Sequence, residues 1–212
     1  MANTLTTVLK TITQDSTKYG DLKKLAKEIK KDHTLAMELW ETGQYYPRLL
    51  AVLILDRKLI DEEFIDRVSA DLLKHEEDEW KQVLDWLFAN QLNKSKKLLA
   101  MIEGWMRSES PIKRKLFWTH QYRLRWTGKT GHENTEEIID VIEETVMNEI
   151  PPIQETMIMT AGWIGVYNPE YRDRLVKFGE DTGLYKDMKV SPGCTPWYLP
   201  EFIRIEANKR GL

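Results

Sequence analysis

Apolar side chains recur at helical spacing in nearly every segment of this 212-residue chain that lies between turn signals, and no stretch alternates apolar with polar as a strand would. In HTLAMELW the residues Leu35, Met37, Leu39 and Trp40 follow a capping candidate. Phe64, Val68 and Leu72 share one helical face, and so do Trp80, Val83, Leu84 and Leu87. The chain therefore reads as all α. Turn signals at TGQYYP (42–47), LDRKLID (55–61), KHEED (74–78), NKS (93–95), SESP (108–111), TGKTGHEN (127–134) and NEIPP (148–152) cut it into helix pairs. The first helices of successive pairs start near His33, Asp61, Lys94, Asn134 and Pro169. That drifting interval of about 35 residues is typical of helical-repeat arrays.

The length suits one domain with a substantial core or an elongated array with a continuous one. We expect residues 1–212 to form a single domain, with 186–212 as a C-terminal capping tail whose Trp197, Tyr198 and Phe202 pack over the last repeat. No apolar run approaches the roughly 20 residues needed to span a bilayer. The amino terminus lacks the basic start and apolar stretch of a signal peptide, and a single cysteine, Cys194, forms no internal disulfide. Both features point to the cytoplasm. His33, His75, His120 and His132 are scattered without ligand spacing, and there is neither a phosphate-cradling glycine loop nor a nucleophile elbow. We expect no metal and no cofactor. Cys194 sits among turn formers in KVSPGCTPWYLPEF, where a structural or tolerated thiol is the plainer reading than a nucleophile.

A net charge of −3 and a pI near 5.9 speak against nucleic acid when averaged, but the charges are unevenly spread. Acids gather in DEE (61–63), EEDE (76–79) and from Glu133 to Glu144, whereas PIKRKLFWTHQYRLRWTGKT (111–130) carries six Lys or Arg and no acid. The aromatic residues Phe117, Trp118, Tyr122 and Trp126 interleave with those cations, as a surface for base stacking and phosphate contact requires. Tryptophan at helical spacing is also ordinary core, so both readings stay open. A weak internal echo adds to the picture. Pro47-Arg48 opens LLAVLIL, Lys113-Arg114 opens KLFW, and NEIPPIQETMIM keeps the proline without the arginine. If the second helices line one side of a curved stack, Arg48, Lys81 and Arg114 fall on one surface; prolines are also simply good helix openers.

The segments AMELWETGQYYPRLLAVLIL (36–55) and WKQVLDW (80–86), the KRKLF helix start and AGWIGV (161–166), in this order and spacing, resemble the AlkD-like DNA alkylation repair family over roughly residues 20–185. The resemblance implies a right-handed α-α superhelix (solenoid) of HEAT-like helical repeats. It also implies a concave surface for double-stranded or structured DNA and, where activity is kept, release of N3- or N7-alkylated purines such as 3-methyladenine and 7-alkylguanine. In that chemistry a carboxylate stabilises positive charge building on the sugar, aromatic faces contact the cation, and an arginine holds the adjacent phosphate.

Carried over by the resemblance, the cleft tryptophans are Trp80 and Trp163 and the phosphate arginine is Arg114, with Lys81 and Arg48 beside them as DNA contacts. The family's carboxylate position, four residues after Trp80, holds Leu84; the candidate catalytic Asp85 is one step further, turned by about 100°. On a helix Asp85 flanks the apolar stripe within reach of Lys81, which makes a solvated flank residue the competing reading. Two other departures stand out. The part ahead of LWETG is shorter than in the glycosylases, and Ile158, Met159, Thr160 and Ala161 replace polar or basic residues before Gly162-Trp163. Three functions remain: an AlkD-like glycosylase, a non-catalytic module of the same fold binding structured DNA or a protein, and a scaffold without a nucleic-acid role. The first predicts a basic stripe with exposed tryptophans; the last predicts buried tryptophans and arginines paired with acids.

Overall fold

A computed structural model of the chain describes residues 4–12, 17–129 and 131–212. Among the described residues the α-helices are α1 (Leu5–Thr11), α2 (Tyr19–Ile29), α3 (His33–Glu41), α4 (Tyr45–Ile54), α5 (Glu62–Leu72), α6 (Glu77–Asn90), α7 (Lys96–Glu103), α8 (Pro111–Trp126), α9 (Thr135–Thr145), α10 (Pro151–Tyr167), α11 (Pro169–Thr182) and α12 (Leu199–Arg210). Single 3-10 turns occupy Arg57–Leu59, Leu92–Lys94 and Val146–Asn148, and no strand is present among the described residues. The chain is all α, as its periodicity requires.

The helices begin where their sequence provides a partner for the first unpaired amides. Asp32 accepts the Leu35 N–H at 3.0 Å ahead of α3, and Asp61 accepts the Phe64 N–H at 2.9 Å ahead of α5. Ser95 and Ser110 cap α7 and α8 in the same way. Pro111 and Pro151 stand in the first turns of α8 and α10, where a missing N–H costs nothing. TGQYYP is only partly a turn, because α4 starts at Tyr45 and absorbs Pro47 into its first turn.

Two compact units divide the chain, Met1–Gly104 and Trp105–Leu212. In the first unit α4 is the hub, packed by α2, α3 and α6. It buries Pro47, Leu49, Leu50, Ala51, Val52 and Ile54, together with Arg48. In the second unit α10 is the hub, in contact with α8, α9, α11 and α12. An α-helix surrounded on all sides must be apolar all round, and PPIQETMIMTAGWIGVY is nearly so.

The tail reaches this hub through glycines. A Cβ placed on Gly162 would lie 2.6 Å from the Phe202 ring, one on Gly165 would lie 2.5 Å from Ile203 Cδ1, and one on Gly179 would lie 2.6 Å from Pro200 Cδ. Only hydrogen fits at these three positions, so α12 seats directly on the backbones of α10 and α11.

Candidate functional site

On α6 the stripe of Trp80, Val83, Leu84 and Leu87 is buried, with Leu84 only 1% exposed, while Asp85 is exposed and Lys81 half-buried. Trp80 is 5% exposed and lies at a hollow of ≈ 10 Å³ with Tyr45, Arg48, His75 and Glu79 among its lining residues. Arg48 is inside the unit. Its Nε donates to the Trp40 carbonyl at 3.3 Å, its guanidinium stands 4.9 Å from the Trp40 ring centre, and its Nη1 is buried without an acceptor. Burial lowers the pKa of that guanidinium; Asp71 and Glu79 oppose the effect. The Trp40 indole N–H in turn donates to Asp71 at 3.1 Å. Glu79 is held towards His75, 3.6 Å away. Tyr45 shares a 2.9 Å hydrogen bond with Tyr19, and burial followed by this bond raises its hydroxyl above the ordinary tyrosine range.

In the second unit Arg114 is chelated. Its Nε and Nη2 bind the two Glu149 oxygens at 2.7 and 3.0 Å, and Nη1 donates to the carbonyls of Ser108 at 2.7 Å and Glu109 at 3.0 Å. Such a two-pronged pair fixes geometry as well as charge. Trp163 is 5% exposed: Phe202 meets it edge-on at 5.2 Å, Tyr167 stacks at 5.9 Å, and the Arg210 guanidinium covers it at 4.7 Å. Its indole N–H is shielded from solvent beside Tyr122 without reaching ordinary hydrogen-bond geometry. Arg210 also bonds the Tyr167 hydroxyl at 2.9 Å and the Glu206 carboxylate at 2.5 Å. Desolvation pushes the Glu206 carboxyl up, but hydrogen bonds from Lys209, Thr195 and Arg210 outweigh it and hold it at about 2.

The cationic run 111–130 does not form a basic face. Lys113, Lys115 and Arg125 are buried, on a helix that packs along α10. Lys113 Nζ lies 5.4 Å from the Trp105 ring centre, and Arg125 donates to Asn134 at 2.9 Å while burial lowers its pKa to about 10. Phe117 and Trp118 are core; Tyr122 and Trp126 stack coplanar at 6.2 Å, with Trp126 49% exposed. The rings of Trp80 and Trp163 are thus covered, not exposed beside a basic stripe, and Arg114 carries an acid partner. These are the features expected of the scaffold reading at those positions. Glu149 and Arg210 escaped sequence reasoning since each lies 35 or more residues from the side chain it serves. No group of three or more His, Cys, Asp or Glu arranged to hold a metal ion occurs among the described residues, and no helix there is long and apolar enough to cross a membrane.

Comparison with known proteins accounts for the helical architecture. The family model of the DNA alkylation repair enzyme matches residues 16–181. The chain belongs to this family. A solved structure, described as from a new family of proteins related to the HEAT-like repeat DNA glycosylases with affinity for branched DNA structures, covers 91% of this chain and 81% of its own. It does so at a TM-score of 0.63 and 19% identity, a likeness of fold. No curated protein sequence matches the chain. As a DNA alkylation repair family member, the chain has the all-helical architecture of HEAT-like repeat proteins.

Proposed function

We propose that this DNA alkylation repair family member binds DNA by its structure and does not excise bases. The observation that carries the reading is Leu84: the position where the family resemblance calls for a carboxylate is apolar and 1% exposed. An oxocarbenium-like sugar needs a negative charge within contact distance, and a buried leucine supplies none. Asp85, one helical step away, points to solvent. Support for DNA as the ligand comes from the family and from the similarly folded relative's described affinity for branched DNA. Arg48 and Arg114 are engaged internally and would contact a phosphate only by exchanging those bonds.

The experiment is a pair of assays on the full chain. Fluorescence anisotropy compares a four-way DNA junction with a linear duplex of equal composition, and base release is followed from methylated duplex DNA. We expect the junction to bind at least about tenfold tighter, with affinity falling steeply with salt, and release no greater than the protein-free rate. Base release abolished by Asp85→Asn would overturn the non-excising assignment. A protein scaffold is the second reading, favoured by the covered tryptophans and by the Arg114–Glu149 pair; it predicts no salt-dependent binding to either DNA.

A further inference from the structure

A hollow of ≈ 690 Å³ in the first unit is ringed by Lys30, Lys31, Arg57, Lys58, Lys94 and Lys97, with Asp56 as its one carboxylate. On a chain of net charge −3 this is a concentrated positive region. It is assembled from three turns: the end of α2, the turn after α4, and the turn between α6 and α7. The first two contribute two cations each, and the third contributes Lys94, with Lys97 following in the first turn of α7. Helices in contact lie about 8–10 Å apart, so turns of successive helix pairs set out the charges as a row rather than a point. A row of cations matches a polymeric anion better than a single small one.

Three details distinguish the row from ordinary solvated lysines. Of these six cations, Lys31 forms an ion pair with Asp56 at 3.0 Å; that carboxyl is held below its usual range first by the Lys58 backbone N–H and then by Lys31, with the Lys58 charge adding to the effect. Arg57 donates Nη2 to the Asn90 carbonyl at 3.3 Å, and its buried Nε has no acceptor within the protein. Lys30 sits at φ 65°, ψ −149°, a conformation that favours glycine and that a lysine adopts only under strain.

We infer that this groove seats the phosphodiester backbone of a nucleic-acid strand, a contact surface formed by the inter-helix turns. The inference rests on the DNA-binding reading above and gives it a location. Lys94 and Lys97 are exposed, so Lys94→Glu with Lys97→Glu leaves the core untouched; Lys186→Glu with Lys189→Glu, exposed in the second unit, makes the same change in net charge at residues that do not line the groove. Each pair is titrated with the four-way junction across a salt series, and folding is monitored by circular dichroism.

The groove pair is expected to lower affinity by at least about tenfold and to flatten the salt slope by about two, near 0.9 for each phosphate no longer neutralised, with the second-unit pair changing affinity by less than about twofold. Lys30→Gly is expected to raise the melting temperature while weakening junction binding, a combination that a purely structural lysine does not produce. Wild-type binding that the groove pair leaves intact overturns the groove and spares the DNA reading. Absence of wild-type binding to any DNA overturns both. Binding of polyglutamate in place of DNA, abolished in the groove pair, overturns the nucleic-acid assignment in favour of an acidic protein.

Discussion

Replacing Arg114 by alanine separates an internal clamp from a phosphate contact. The change removes all four donated bonds and leaves the Glu149 carboxylate, whose side chain is 9% exposed, without its cation. Breaking a buried pair by deleting one partner costs about 3–5 kcal/mol. Arg114 is itself 22% exposed, which puts the loss at the lower end, about 3 kcal/mol. For a chain of this length that lowers the melting temperature by roughly 6–12 °C. Adding Glu149→Gln removes the stranded charge, so the double variant should recover at least about 1 kcal/mol relative to additive single effects. Urea unfolding of the two single variants and the double variant supplies the cycle, and junction affinity is measured alongside under fully folded conditions. A loss of stability below about 1 kcal/mol, accompanied by a large fall in DNA affinity, would refute the clamp and return Arg114 to the DNA surface.

Gly165→Val forces side-chain atoms into Ile203 and should destabilise the seating of α12 by about 1–3 kcal/mol, read by thermal unfolding. Leu84→Asp buries a carboxylate among apolar neighbours and should cost at least about 2 kcal/mol while producing no base release; a folded variant that does release bases would mean that only the charge was missing. The Glu206 carboxyl has its folded pKa depressed from 4.5 to about 2, so its contribution is complete above pH 4.5 and is lost as pH falls through about 2. Tryptophan fluorescence should therefore report loosening of α12 in that acid window, and Glu206→Gln should show the loosened signal at neutral pH.

Fold class was legible because it depends on local chemistry: the apolar period, and Asp32, Asp61, Ser95 and Ser110 ahead of their helices. The order of LWETG, WKQVLDW and AGWIGV carried the family in the same way, since it is a property of the chain and not of its packing. The site was harder to read for a physical reason. Trp163 has the same helical spacing whether its open face meets solvent or Phe202 and Arg210, and the residues that decide this arrive from the far end of the chain. PIKRKLFWTHQYRLRWTGKT looked like a basic face because charge was read without packing, whereas long cationic stems also thread between packed helices with their heads against aromatic rings or amides. The groove cations were overlooked for the converse reason: they lie in or beside turns, where lysine is unremarkable, and only the stacking of turns collects them.

The three glycines under α12 also set how the second unit opens. Phe202, Ile203 and Pro200 meet glycines that carry no side chain to fill a gap, so a small withdrawal of α12 leaves a void on the α10 and α11 side and the helix is expected to leave as a unit. Native-state hydrogen exchange should then show the inward amides of α10 and α11 becoming labelled together, at one common free energy below that of global unfolding. The seat of α12 is thus the seam along which this half of the molecule breathes.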